Sequence, residues 1–283
     1  MLSEESLELI VQDHLAELEW QAGHGPDFAP GSGERDTWND IVLRGRLRNA
    51  VRNLNPDVPE EYLDQAIGEV ITPKSQSAIS ENRRIHQILV EGYRGIEYID
   101  HEGNVQNPTI NFLSSHPHMN DYLSLNQVTV ANLDGERRFD VVCYVNGMPL
   151  AFIELKKTGA NTSIEGAHNQ LQTYVKEFGM AFRFANIVIP SDDLSAKYGT
   201  PFTPWNHFAP WNVDEDGSPL DPNNMVVAGE PVTQLDLLLD GLFNVERFGQ
   251  LYSDFTAFDD TAEGLIMRIA KPHQYFAVTK AVG

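Results

Sequence analysis

Cysteine is nearly absent from this chain: Cys143 stands alone among 283 residues. One thiol excludes an internal disulfide framework, and it excludes a four-cysteine zinc site or an iron–sulfur cluster held by this chain alone. Cys143 lies in an apolar run and reads as a small buried hydrophobe. No apolar run approaches the roughly 20 residues that cross a bilayer. The opening MLSEESLELI is acidic and polar, the reverse of a secretory signal, so a cytoplasmic location is expected. Basic residues are scarce, with 20 Lys and Arg against 41 Asp and Glu and a net charge of -21. That balance weighs against unaided gripping of a polyanion. The deficit is uneven. Residues 1–40 hold 10 acids and 1 base, residues 191–265 hold 14 and 2, and residues 41–190 are near balance with 17 and 14. The chain also lacks G-x-x-x-x-G-K-[ST], so it has no phosphate loop for ATP.

What is present reads as α/β. Helical periodicity marks Leu2–Leu18, Asp40–Leu54 with Asp40 as N-cap, Pro59–Val70, Ser80–Glu91, Ile164–Phe178 and Thr233–Asn244. Leu265–Val282 begins a further helical unit. Short strands are expected around 96–98, 109–112 and 125–131, then at Phe139–Val145, Leu150–Lys156 and Ala185–Pro190. Gly23–Gly33 and Asp192–Gly229 read as irregular. The order of elements predicts a mixed β-sheet flanked by helices. Arg44, Arg46, Arg48 and Arg52 share one early helix. Two readings stand for them, phosphate contacts or a solvated face, and the second is favoured. His116-Pro-His118 reads as a loop pair without a metal partner, and Trp205 and Trp211 as packing residues.

Chemistry concentrates in Arg138-Phe-Asp140-Val-Val-Cys-Tyr-Val-Asn-Gly-Met-Pro-Leu-Ala-Phe-Ile-Glu154-Leu-Lys156. Asp140 begins one apolar strand and Glu154 ends the next. Side chains alternate along a strand, so Glu154 and Lys156 share a face. Whether Asp140 joins them depends on the turn. A two-residue Asn146-Gly147 turn pairs Asp140 with Ile153 and separates the carboxylates; a three- or five-residue turn, or a bulge, pairs Asp140 with Glu154. Two carboxylates and a lysine on one face suit phosphodiester hydrolysis. Asp140, Glu154 and the Leu155 carbonyl would hold Mg²⁺ through oxygen. Lys156 would either orient the attacking water or neutralise charge on the crowded phosphate. Gln170 and Tyr174, four apart on the next helix, share a face beside this hairpin.

This arrangement resembles the PD-(D/E)xK nuclease superfamily in its variant with a Q-x-x-x-Y helix. Further segments extend the likeness: Asn120-Asp-Tyr, Asn126-Gln-Val-Thr-Val, Asn82-Arg-Arg-Ile-His86-Gln-Ile-Leu, Asn169-Gln-Leu-Gln-Thr-Tyr, Trp205-Asn-His-Phe and His273-Gln-Tyr-Phe-Ala-Val. Together they resemble the R subunit of type I restriction enzymes over nearly the whole chain. The resemblance implies a Mg²⁺-dependent endonuclease acting on double-stranded DNA, with Asp140, Glu154, Lys156, Gln170 and Tyr174 on the family's nuclease positions. Glu81, at the head of a helix, falls on an accessory acidic position or is an ordinary helix-terminal acid. It implies partner methylase and specificity subunits, and ATP only in the full-length protein, where Gln274 would read adenine. The expected organisation begins with an endonuclease domain over 1–195, helical over 1–92 and holding the catalytic sheet over 93–195. An irregular acidic extension is expected over 196–250, and over 251–283 the beginning of a truncated RecA-like motor. The contrasting expectation is a docking module that binds the methylase or motor subunits while the hairpin site stays idle. A repair nuclease of the same fold is a third, disfavoured by the likeness beyond the hairpin.

Overall fold

The computed structural model describes residues 3–133, 135–157, 163–192, 194–221 and 225–282; Leu2 and Gly283 lie outside them. In chain order the elements are helix α1 (Glu4–Glu17), strand β1 (Gln21–His24), helices α2 (Arg44–Leu54), α3 (Glu60–Ile71) and α4 (Ala78–Glu91), and a short hairpin of β2 (Tyr98–Ile99) and β3 (Val105–Gln106). Strands β4 (Tyr122–Asn132), β5 (Gly135–Val145) and β6 (Met148–Leu155) follow, then α5 (Ile164–Glu177) and β7 (Ile187–Ser191). After a second small hairpin, β8 (Val226–Val227) and β9 (Glu230–Pro231), come α6 (Gln234–Phe243), α7 (Val245–Ser253), the hairpin β10 (Thr256–Thr261) and β11 (Gly264–Ile269), and α8 (Pro272–Val282). No helix among the described residues is long and apolar enough to cross a membrane.

The central sheet has the order β1-β4-β5-β6-β7. Its middle is antiparallel, and each outer strand runs parallel to its neighbour, which makes the sheet mixed as expected. One face packs on α1, α3, α4, α6 and α7 through Leu7, Val11, Ala66, Ile85, Leu238, Phe243 and Phe248. The other packs on α5 through Leu171 and Tyr174, on the turn after it through Phe182, and on the segment beyond β7 through Phe208. Strands buried on both faces read as continuous apolar runs, which is why β5 and β6 were legible.

The C-terminal third belongs to the first of these cores. Trp20 donates through Nε1 to the Phe243 carbonyl at 2.8 Å and stacks edge-on against Tyr122, Phe243 and Phe248. Trp211, Tyr275 and Phe276 lie in the same cluster. Of the stretch 196–250, expected as an irregular extension, residues from Gln234 onward are α6 and α7. The stretch 251–283 holds the end of α7, the β10–β11 hairpin and α8.

Several expectations about elements need correction. The helix expected from Asp40 begins at Arg44, and Asp40 is not its N-cap; the Asp40 carboxylate instead accepts from the Val42 N–H and pairs with Arg44. Leu265–Ile269 is a strand, not the start of a helix, because it pairs antiparallel with β10 across a two-residue turn at Ala262 and Glu263. Gly23 and His24, expected in a loop, close β1. Gly25 follows, where a Cβ would sit 2.6 Å from the carbonyl oxygens of Asn126 and Gln127, so only glycine lets the chain pass this close to β4.

Candidate active site

The hairpin resolves the conflict between its turn and its carboxylates. Val145 pairs with Met148 across a two-residue Asn146-Gly147 turn, both residues having positive φ, 51° and 76°, the geometry that suits the strands' twist. Tyr144 pairs with Pro149, but Cys143 pairs with Ala151, leaving Leu150 as an extra residue. This bulge shifts the register by one, so Val141 faces Ile153 and Asp140 falls level with Glu154. The simplest turn and the convergent carboxylates coexist because the bulge lies between them.

A second distortion adds to the first. Along β4, Leu123 and Leu125 face α5, and so do Val128 and Val130; along β5, Phe139 and Val142 do likewise. Alternation therefore slips at one level in both strands. There Gln127 adopts φ 52° and the register skips from Asn126–Val141 to Val128–Phe139. Asp140 lies at this slip, with one carboxylate oxygen accepting the Leu155 N–H at 2.7 Å.

Around Asp140 the structure gathers Glu154, Lys156 and Tyr174. The Lys156 ammonium donates to a Glu154 carboxylate oxygen at 2.8 Å and to the Leu155 carbonyl at 3.3 Å. Gln170 donates to the Tyr174 hydroxyl. Glu154 is 1% exposed. Burial first, and the neighbouring Asp140 carboxylate second, push it up to about 8 despite Lys156. Burial likewise raises Asp140 against the pull of the Leu155 N–H and Lys156. Burial alone would lower Lys156, but Glu154, then Asp140 and Glu4, outweigh it and its pKa rises. Tyr174 is raised by burial and by Glu154. Two carboxylates thus share one lysine, and Glu154 is the group of the pair that holds its proton toward neutrality.

Sequence reasoning missed Glu8. It lies on α1, buried, with Asn126 donating to its carboxylate at 3.3 Å. Burial and then Asp140 push Glu8 up to about 7, while Gln127, Arg138 and Asn126 act to lower it. Glu4, one turn earlier, also acts on Asp140, Glu154 and Lys156. A signal was present: the buried positions of α1 are Leu7, Glu8, Val11, Gln12 and Leu15, so two polar residues four apart ride inside an apolar stripe, while Ile10 points outward at 44% exposure.

Other candidates lie elsewhere. Glu81 is buried, but its carboxylate takes the Lys74 N–H at 3.0 Å and the Arg84 guanidinium at 2.7 Å, away from Asp140. Gln274 is exposed on α8, where its side-chain oxygen accepts the Lys271 N–H at 2.8 Å. Arg44, Arg46, Arg48 and Arg52 each pair with the protein's own acids, Asp40, Asp121, Asp64 and Glu60. His118 is exposed and pairs with Glu19.

For a metal, no three His, Cys, Asp or Glu side chains among the described residues form a cage. Two carboxylates and a carbonyl nonetheless fit a hard cation that keeps most of its waters, as Mg²⁺ does. The Lys156 ammonium already bridges two of those oxygens, so the pocket is built for positive charge.

A family model described as "Type I restriction enzyme R protein N terminus (HSDR_N)" matches residues 1–207. The putative type I restriction enzyme MjaIXP endonuclease subunit of Methanocaldococcus jannaschii is 28% identical over 280 residues, covering 95% of this chain and 26% of that protein. The type I restriction enzyme HindI endonuclease subunit of Haemophilus influenzae is 28% identical over 288 residues, covering 100% of this chain and 26% of that protein. The type I restriction enzyme EcoprrI endonuclease subunit of Escherichia coli is 25% identical over 169 residues, covering 56% and 50%. The chain spans about a quarter of the length of the first two relatives.

Proposed function

Because the chain belongs to the type I restriction enzyme R protein N-terminus family, we propose that it is the DNA-cleaving portion of an R subunit, with a PD-(D/E)xK-type nuclease site at Asp140, Glu154 and Lys156. The observation that carries this reading is the bulged hairpin, which aligns Asp140 with Glu154 while Lys156 bridges Glu154 and the Leu155 carbonyl. In this reading Asp140, Glu154 and the Leu155 carbonyl hold Mg²⁺. When bound, the ion would supply Lewis-acid polarisation of the scissile phosphate and a lowered pKa for an attacking water.

The remaining roles belong to the chain's own residues. Lys156 hands its two oxygens over and keeps its charge beside the phosphate, where negative charge grows in the transition state. Its single flexible stem permits this, where a forked guanidinium would be held fixed. Gln170 and Tyr174 line the α5 side of the site and orient Lys156 or a phosphate oxygen. Glu8, held by Asn126, adds a further carboxylate that keeps the site cation-seeking. In the whole protein, cleavage would follow ATP-driven movement of DNA by a motor beyond α8, with Gln274 facing adenine, and methylase and specificity subunits would choose the site.

Calorimetric titration of Mg²⁺, alongside nicking of supercoiled plasmid, tests the assignment. The wild type is expected to bind Mg²⁺, and Asp140→Ala and Glu154→Gln are each expected to lose that site. Unchanged Mg²⁺ binding in both variants would leave the idle docking module as the better reading.

A further inference from the structure

Lys197 sits one strand beyond β7. Glu154 pairs with Pro190 across β6 and β7, and the Pro190 carbonyl accepts the Lys197 N–H at 3.3 Å. At about 4.8 Å per strand, its backbone lies roughly 10 Å from that of Glu154. The Lys197 ammonium rests 4.6 Å from the ring centre of Trp205. Trp205 in turn stacks at 4.7 Å on His168 of α5, the helix that carries Gln170 and Tyr174. Glu154 lies two residues beyond Phe152, which packs on α5, so the carboxylate and this lysine–aromatic group open toward the same layer.

A second lysine closes the group. Lys271 donates to the His207 carbonyl, and the loop carrying Lys197 is fastened to the same segment by the Tyr198 hydroxyl, 2.7 Å from the Ala270 carbonyl. Burial, and then Lys197 itself, lower the pKa of Lys271. Among the described residues neither lysine forms an ion pair, whereas ten other cations, including all four arginines of α2 named above, do. In a chain with twice as many acids as bases, two lysines set against each other without a carboxylate call for an external anion.

We propose that Lys197, seated over Trp205, and Lys271 beside it form a docking subsite for a phosphate of the DNA substrate. It rests on the nuclease reading above and extends it by naming where the strand lies as it leaves the scissile position. With roughly 3.4 Å of axial rise per nucleotide, the backbone separation corresponds to about three nucleotides from the reacting phosphate. The indole supports the aliphatic stem of Lys197 and preorganises its charge, and the phosphate relieves the repulsion between the two ammonium groups.

Binding of a fluorescein-labelled 20-base-pair duplex to the full chain, followed by anisotropy in EDTA over a salt series, tests this without cleavage. Lys197→Glu/Lys271→Glu is expected to weaken binding at least tenfold and to lower the slope of log affinity against log salt by about 1, near 0.9 for the one lost phosphate contact. Lys197→Arg is expected to bind as the wild type does, and so is Lys280→Glu on the exposed face of α8. Trp205 fluorescence, isolated by difference with Trp205→Phe, should change on DNA addition. A wild type that does not bind duplex at low salt, or a double variant with unchanged affinity and slope, overturns the subsite; the second outcome would favour an acidic protein surface as the occupant. The nuclease reading fails separately: it falls if Mg²⁺ binding is indifferent to Asp140 and Glu154, even where the lysine variants lose DNA.

Discussion

Glu81 and Glu154 are equally hidden, each 1% exposed, and each touches one cation. They differ in everything else that matters for chemistry. Glu81 is saturated: one oxygen takes a backbone N–H, and the other takes two nitrogens of the Arg84 fork. Glu154 has a single lysine and faces a second carboxylate. Burial alone therefore marks a structural tie as readily as a site. What distinguishes the site is unrelieved like charge beside a cation that can move.

Substitutions at the two glutamates should separate them. The largest effect is expected from Glu154→Gln and Asp140→Ala, which should lower plasmid nicking by the holoenzyme at least about a hundredfold, since loss even of supporting residues around a metal costs 10–100-fold. Lys156→Ala should cost about 10²–10⁴-fold, with Mg²⁺ binding retained by calorimetry. Glu81→Ala should leave nicking unchanged and destabilise the fold by about 3 kcal/mol in urea titration, the low end for a broken buried pair because Arg84 is partly exposed. A nuclease defect in correctly folded Glu81→Ala would break the comparison.

Proton linkage sharpens it further. Glu154 at about 8 and Glu8 at about 7 lie above the ordinary carboxylate range, so the folded state binds more protons than the unfolded chain. Their contribution to stability is full in acid below the unfolded carboxylate value and is lost as pH rises through about 7 to 8. Metal-free protein should therefore melt lower at pH 8.5 than at pH 6, and Glu154→Gln should flatten that dependence. Mg²⁺ should bind more tightly as pH rises over the same window, with proton release detectable by calorimetry in buffers of different ionisation enthalpy. The smallest effect is expected at Arg48→Ala: its exposed pair with Asp64 contributes less than about 1 kcal/mol, and duplex affinity should not move.

The residues that read clearly from sequence are those whose signal is local. Phe139–Val145 and Leu150–Leu155 are apolar enough to be strands buried on both faces, and Gln170 and Tyr174 declare their shared face by spacing. The Leu150 bulge carries no such mark, because an apolar residue facing an apolar core looks the same in or out of register. Yet the need for it was legible: Asn146-Gly147 and a shared site for Asp140 and Glu154 are compatible only if one residue is extra. Glu8 was lost because it reaches Asp140 across more than a hundred residues of chain, and the parallel pairing of β1 with β4 that accompanies it is equally nonlocal. Leu265–Ile269 misled in the opposite way, since five mostly apolar residues ahead of a true helix fit its periodicity until β10 is there to pair with them.

The bond from Trp20 to the Phe243 carbonyl joins residues 223 apart, and that separation sets a clock on synthesis. At about 5–20 residues per second, a ribosome needs on the order of 10–45 s to pass from one partner to the other. For that interval α1 and the strands beside it wait with an apolar flank uncovered, since α6 and α7 do not yet exist to close it. Nascent chains held at this point should therefore be those that holdase chaperones bind and proteases clear, and the central sheet should become protease-resistant only once α7 has left the exit tunnel.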